Sequence, residues 1–233
     1  KGLVPYVLRG KRLQVIVKLA SIELTPDKPW FAGGSWHVEG MRDEAIVATA
    51  IYYLSSENTS VATLRFRCTI SELEDYEQND HRGVMKGYGL QDHISGDGYQ
   101  LWQPMGSCST PPGRALSWPN TLQHQVSPIE LIDKSKPGRR QFLVFFLVDP
   151  AVRITSTACV PPQRRDWMHM ELRAMSLFRR LPGDCLQRIV EALELPNHQV
   201  ACKRRERLML ERKYFVGESN SQWFERSFSL CEH

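Results

Sequence analysis

Residues 141–150 read QFLVFFLVDP, the most apolar run in the chain. A bilayer span takes about 20 such residues, so this run is too short to cross a membrane and is placed instead as the central strand of a sheet. Other strand-like stretches gather around it. RLQVIVKLASIELT (12–25) stops at Pro26 and Pro29, and AIVATAIYYL (45–54) is rich in β-branched and aromatic residues. TLRFRCTI (63–70), YQLWQP (99–104) and RALSWPN (114–120) follow, and RITSTACV (153–160) reads as a further strand.

Two regions break this pattern. Residues 71–98 are polar, charged and glycine-rich, a long excursion of the kind that forms lids or binding loops. Beyond Pro161-Pro162 the apolar residues recur at helical spacing, over 166–181, 183–194 and 197–216. The last of these carries CKRRERLMLERK, which is either a solvated charged face or a basic amphipathic surface for an acidic partner. Strands followed by helices predict a mainly β fold with helices, a barrel or sandwich core buttressed by a helical segment.

The composition narrows the functional classes. The chain has 233 residues, 42% hydrophobic and 24% charged, which is globular composition for one domain with appendages. A net charge of +4 is too mild and too dispersed for a dedicated nucleic-acid binder. No apolar run is long enough for a membrane helix and no signal-peptide pattern opens the chain. The six cysteines are scattered without a C-x-x-C pair, as reduced thiols of a cytoplasmic or nuclear protein are. The first residue is Lys1 rather than Met, as expected of a fragment or a processed chain.

GGSWHVEG (33–40) reads as a strand leaving a glycine turn. His37 and Glu39, two residues apart, then share one strand face. Alone, such a pair is an ordinary surface feature. Two histidines and one carboxylate on one side of a metal make an open iron site, so a second histidine is needed. Among the seven histidines, His81 and His93 fall in the polar excursion, His169 and His198 on expected helices, and His233 at the end. His124 differs: it follows a strand and turn in RALSWPNTLQHQVSP. Gly138-Arg139-Arg140 then opens the apolar strand, and a guanidinium there can grip a carboxylate with two parallel hydrogen bonds. Trp36 and Trp118 are core positions or pocket walls.

Together these blocks resemble the 2-oxoglutarate- and Fe(II)-dependent dioxygenases, particularly their prolyl-hydroxylase-like branch. HVEG is similar to the segment that supplies two iron ligands, which implies His37 and Glu39; HQVSP is similar to the distal-histidine segment, which implies His124. IVATAIYYL resembles a strand whose tyrosine contacts 2-oxoglutarate, implying Tyr53 with Tyr52 as its alternative. GRRQFLVFF resembles the strand whose basic residue holds the far carboxylate, implying Arg140 with Arg139 as the other register. Two departures stand out: Glu39 replaces the usual aspartate, and ELIDKSKPG (130–138) must bulge out as an insertion.

GGSWHVEG, RALSWPNTLQHQVSP, GRRQFLVFFLVDP and TACVPPQRRDW also resemble a mainly fungal group defined by a domain of unknown function, over nearly the whole chain. Members of that group are usually longer at the N-terminus. The resemblances imply a double-stranded β-helix (jelly-roll, cupin-like) over 1–162 with a C-terminal helical extension over 163–233. They imply Fe(II) and 2-oxoglutarate as cofactors, and hydroxylation of an unidentified small molecule or protein side chain with release of succinate and CO2. The competing function is a cupin-like metal-binding module without oxygenase activity.

Overall fold

A computed structural model describes residues 7–90 and 99–230. In chain order its strands are β1 (Val15–Leu24), β2 (Trp30–Phe31), β3 (Ile46–Glu57), β4 (Thr63–Thr69), β5 (Tyr99–Gln100), β6 (Trp102–Ser109), β7 (Ala115–Pro119), β8 (Gln123–Val126), β9 (Ile129–Glu130), β10 (Gly138–Val148) and β11 (Ser227–Phe228). The helices are α1 (His81–Tyr88), α2 (Arg165–Ala174), α3 (Gly183–Ala192) and α4 (His198–Ser219). The protein is mainly β with a few helices, and its sheets are antiparallel.

The apolar run is a central strand. β10 is flanked by β1 and β3 in a four-stranded sheet of order β1-β10-β3-β7. Its inward positions Arg140, Val144, Phe146 and Val148 are buried, while Arg139 and Phe145 face solvent. A second sheet has the order β6-β4-β8, and β2 pairs with β9. Side chains of the two larger sheets meet: Phe66 of β4 packs edge-on to Trp118 of β7, ring centroids 5.3 Å apart. One end of this interior is closed by Leu24, Ala62, Ile129 and Leu131, with Ile22, Phe31 and Val126 against them.

The segment ELIDKSKPG does leave the sheet as a turn. Asn58 clasps it, donating from Nδ2 to the carbonyls of Asp133 and Lys136 at 2.9 Å each and accepting from the Asp133 amide at 2.7 Å. Gly138 re-enters β10 where a Cβ would stand 2.6 Å from the Asn58 carbonyl oxygen.

The polar excursion is partly ordered on its own core. Leu73, Val84 on α1, Leu90, Tyr99 and Leu230 form a buried cluster, with β11 pairing to β5 beside it. Residues 91–98, His93 among them, lie outside the described residues, as do Lys1, Cys231 and His233.

Two expected strands take other forms. Residues 153–160 are mostly exposed and turn at Ser156, whose carbonyl accepts from the Cys159 and Val160 amides at 3.0 Å each. Their β-branched side chains favour an extended chain, but a strand also needs a partner edge, and none of the described strands pairs with them. GGSWHVEG contributes a single paired residue, His37, rather than a strand.

Two compact units make up the chain: one gathers Lys1–Val152 with Phe215–His233, the other Arg153–Tyr214. In the second, α2 packs on α3, with Met168, Leu186 and Val190 buried. The five described cysteines are free thiols, and no described helix is long and apolar enough to cross a membrane.

Candidate metal centre

The approach to the site depends on a glycine. Gly33 has φ of +91° and lies so close to β8 that a Cβ would meet the Val126 carbonyl oxygen at 2.7 Å. With no side chain there, the strand-less segment lies along β8, and the Gly34 amide donates to the same carbonyl at 3.1 Å. Three residues on, His37 faces His124 in a reciprocal pair: each amide donates to the other's carbonyl, at 3.2 and 3.0 Å. Opposed residues in such a pair project their side chains to one side, and the two imidazole rings stand 4.4 Å apart.

Glu39 completes the group. Its Oε1 lies 3.2 Å from Nε2 of His124 and 3.8 Å from Nε2 of His37. Among the described residues these three form the one cluster of metal-ligand type, all ligand atoms within 4.8 Å of one another. Ligands held about 2.1 Å from a metal and at right angles stand about 3.0 Å apart, so the spacing suits a shared ion. Glu39 therefore reaches the cluster despite its extra methylene.

The His37 tautomer suits it too. His37 Nδ1 donates to the Ser35 carbonyl at 2.8 Å. A carbonyl only accepts, so the proton sits on Nδ1 and the Nε2 lone pair is free to ligate. His124 is buried, and its Nδ1 has no hydrogen-bond partner. Burial, then the neighbouring His124, hold the His37 pKa below its ordinary value. Burial alone would raise Glu39, but the hydrogen bond from His124 and the charge of His37 outweigh it and hold the carboxyl below its usual range. A neutral imidazole at His37 and an ionised carboxylate at Glu39 are forms that bind metal.

Asn120 was not legible as a site residue, yet it fixes Glu39. Its Oδ1 accepts from the Glu39 amide at 2.8 Å, while Nδ2 donates to the carbonyls of Glu39 and Ile46 at 2.9 Å each. Trp118 packs edge-on against His124 at 4.9 Å, and Phe66 lies 6.5 Å from it. Trp118 Nε1 and Thr49 Oγ1, on residues paired across β3 and β7, are buried without hydrogen-bond partners. Trp36 lies instead over the Arg67 guanidinium, 4.5 Å from its ring centroid. The remaining described histidines stand elsewhere, His81 bonded to Tyr99 and His198 to Arg164.

The alternation of strand side chains separates the two open registers. Tyr53 is 4% exposed and faces inward, whereas Tyr52 is 40% exposed. Arg140 is buried, while Arg139 points outward toward Glu23 at 3.8 Å. Arg140 donates to the Thr110 carbonyl and hydroxyl, both at 2.6 Å, and its guanidinium lies 4.8 Å over the Tyr53 ring. No carboxylate of the described residues pairs with it. Burial pushes the Tyr53 hydroxyl up to about 12 against the pull of the neighbouring Arg140 charge.

Several comparisons bear on this arrangement. No curated protein matches the sequence. Among solved structures, the Fe(II)/(alpha)ketoglutarate-dependent dioxygenase TqaL aligns at 18% identity and TM-score 0.34, over 66% of this chain and 50% of that one. The hydroquinone 1,2-dioxygenase PnpCD aligns at 14% identity and TM-score 0.28, over 63% of this chain and 65% of that one. The hydroquinone 1,2-dioxygenase from Sphingomonas sp. TTNP3 aligns at 11% identity and TM-score 0.26, over 65% and 69%. The chain thus spans half the length of the first of these and about two thirds of the second. A family model matches residues 6–171, a stretch that holds all five candidate site residues and stops short of the C-terminal helices α3 and α4. The chain belongs to the family described as a protein of unknown function, DUF4246.

Proposed function

We propose that the protein is an Fe(II)- and 2-oxoglutarate-dependent oxygenase built on a double-stranded β-helix. One observation carries this reading: the same β unit holds a two-histidine, one-carboxylate cluster and a buried guanidinium that pairs with no carboxylate among the described residues. A three-ligand cluster alone would suit zinc or manganese as well. The buried cation is the feature that favours a dicarboxylate cosubstrate. The β-helix reading is supported by a four-stranded and a three-stranded antiparallel sheet whose side chains interlock around the cluster.

His37, Glu39 and His124 would hold the iron on one side. Bound there with 2-oxoglutarate and O2, that ion would supply the oxidation, hydroxylation of a substrate C–H bond with release of succinate and CO2. The chain's own residues bind and orient. Ser35 holds the proton on His37 Nδ1, and Asn120 fixes the backbone of Glu39. Arg140 pairs with the far carboxylate of 2-oxoglutarate, and Tyr53, kept a neutral phenol by burial, donates to it. Phe66 and Trp118 keep water from His124.

The test is calorimetry with Mn(II) in place of iron, which needs no knowledge of the substrate. The metal-loaded protein binds 2-oxoglutarate, and His37→Ala loses the metal. Unchanged metal content in His37→Ala sinks the reading. Metal binding without any 2-oxoglutarate binding favours the cupin-like module instead.

A further inference from the structure

Behind the two histidine-bearing segments runs a buried polar chain. Gln123 precedes His124 on β8 and so points to the opposite face of the strand, where it is fully buried. Its Oε1 accepts from Arg67 Nε at 2.6 Å, and its Nε2 donates to Asn220 Oδ1 at 2.7 Å. Asn220 Nδ2 donates in turn to the Trp36 carbonyl at 2.7 Å. Every polar atom of the Gln123 and Asn220 amides that takes part has a specific protein partner, and such satisfied networks rigidify what they join.

The Trp36 carbonyl belongs to the same peptide unit as the His37 amide. That unit is planar, with its C=O and N–H pointing opposite ways. Its N–H is the donor to His124. Holding the carbonyl therefore holds the plane that joins the two histidines. One side chain, Asn220, grips the residue before His37 and the residue before His124 together.

Asn220 is itself held from beyond. It opens a π-helical turn, Asn220–Phe224, a rare geometry that recurs at functional sites. After that turn Glu225 bonds Arg67 at 2.8 Å, β11 pairs with β5, the Arg226 carbonyl accepts from Leu101 at 2.9 Å, and Leu230 is buried in the α1 cluster. The residues from Asn220 to Leu230 lie past the stretch that the family model matches.

We propose that Asn220 is a positioning residue of the metal centre, a clasp from the C-terminal segment that keeps His37 and His124 at ligand spacing. The proposal rests on the metal-centre reading above. Outer contacts of this kind are typically worth about 10- to 100-fold in metal affinity. Co(II) titration of the full chain supplies two readouts, affinity and the visible absorption of the bound ion. Asn220→Ala is expected to weaken Co(II) about tenfold and to shift that absorption. Asn220→Asp keeps the acceptor for Gln123 but loses the donor to Trp36, and it gives the same shift; it decides the matter if Asn220→Ala does not fold. Arg226→Ala removes only the exposed contact to Glu72 and leaves both readouts unchanged. Wild-type affinity and absorption in the Asn220 variants, with metal lost in His37→Ala, overturn the clasp and spare the metal centre. Equal weakening in Arg226→Ala overturns it as well, since any loosening of the segment would then suffice. Wild-type Co(II) binding by His37→Ala overturns both readings.

Discussion

Arg67 and Arg140 are 4% and 2% exposed, and each sits on a strand flanked on both sides, β4 in the three-stranded sheet and β10 in the four-stranded one. Burial pulls down the pKa of both. Their surroundings differ. Arg67 lies between the rings of Trp36 and Trp102, at 4.5 and 4.8 Å, and reaches Gln123 and the Glu225 carboxylate. Arg140 has the Thr110 oxygens and the Tyr53 ring and hydroxyl, but no carboxylate among the described residues. A buried cation without its counter-charge is costly, whereas one with a full set of partners is a strut. The first arginine is paired with a carboxylate, and the second has none among the described residues.

The sharpest way to break this contrast is Arg140→Met. It should weaken 2-oxoglutarate binding on the order of 100-fold, because a charge-assisted pair is lost. It should also lower the melting temperature less than Arg67→Met does, since a buried charge without a carboxylate partner is removed while the Thr110 carbonyl loses its donor. Calorimetry and thermal melts read the two effects separately, and a large loss of stability would make Arg140 a strut like Arg67.

Arg67→Met is the mirror experiment. It should cost about 2 kcal/mol of stability in chemical denaturation, because Gln123 Oε1 is left buried and unsatisfied. A neutral result would show the network to be dispensable.

A smaller effect follows from Tyr53. Its pKa of about 12 exceeds the ordinary value of 10.0, so the folded state favours the neutral phenol. That contribution is fully present below pH 10 and is lost as pH rises toward 12. An ultraviolet titration should therefore show a tyrosine ionisation near pH 12 that Tyr53→Phe removes. The smallest effect is expected from Arg139→Gln. This side chain is half exposed beside an exposed Glu23, so stability should move by less than about 0.5 kcal/mol.

The same contrast shows what a sequence exposes. β10 was legible because an unbroken apolar run has few other homes, and Arg140 was placed at its mouth by position alone. Choosing Arg140 over Arg139, or Tyr53 over Tyr52, required knowing which face is inward, and a strand apolar on both faces carries no such mark. His37 and Glu39 come within 3.8 Å of each other through a one-residue bridge and the side-chain amide of Asn120 rather than through a strand. The Arg67–Gln123–Asn220 network left almost no trace. Its partners lie far apart in the chain and polar residues carry no periodicity. The visible hint was Arg65 and Arg67 alternating with Leu64 and Phe66, which marks a polar second face on β4. RITSTACV misled because composition reports what a chain tolerates, not whether an edge lies beside it.

The reciprocal amide pair between His37 and His124 has a thermodynamic consequence. These residues are 87 positions apart, and closing so long a loop of flexible chain costs on the order of 4 kcal/mol in length-dependent entropy alone. Here the backbone has already met that cost through hydrogen bonds that involve no imidazole. An arriving ion need not gather the chain, so its binding energy is left for coordination, and departure of the ion leaves the two segments still joined.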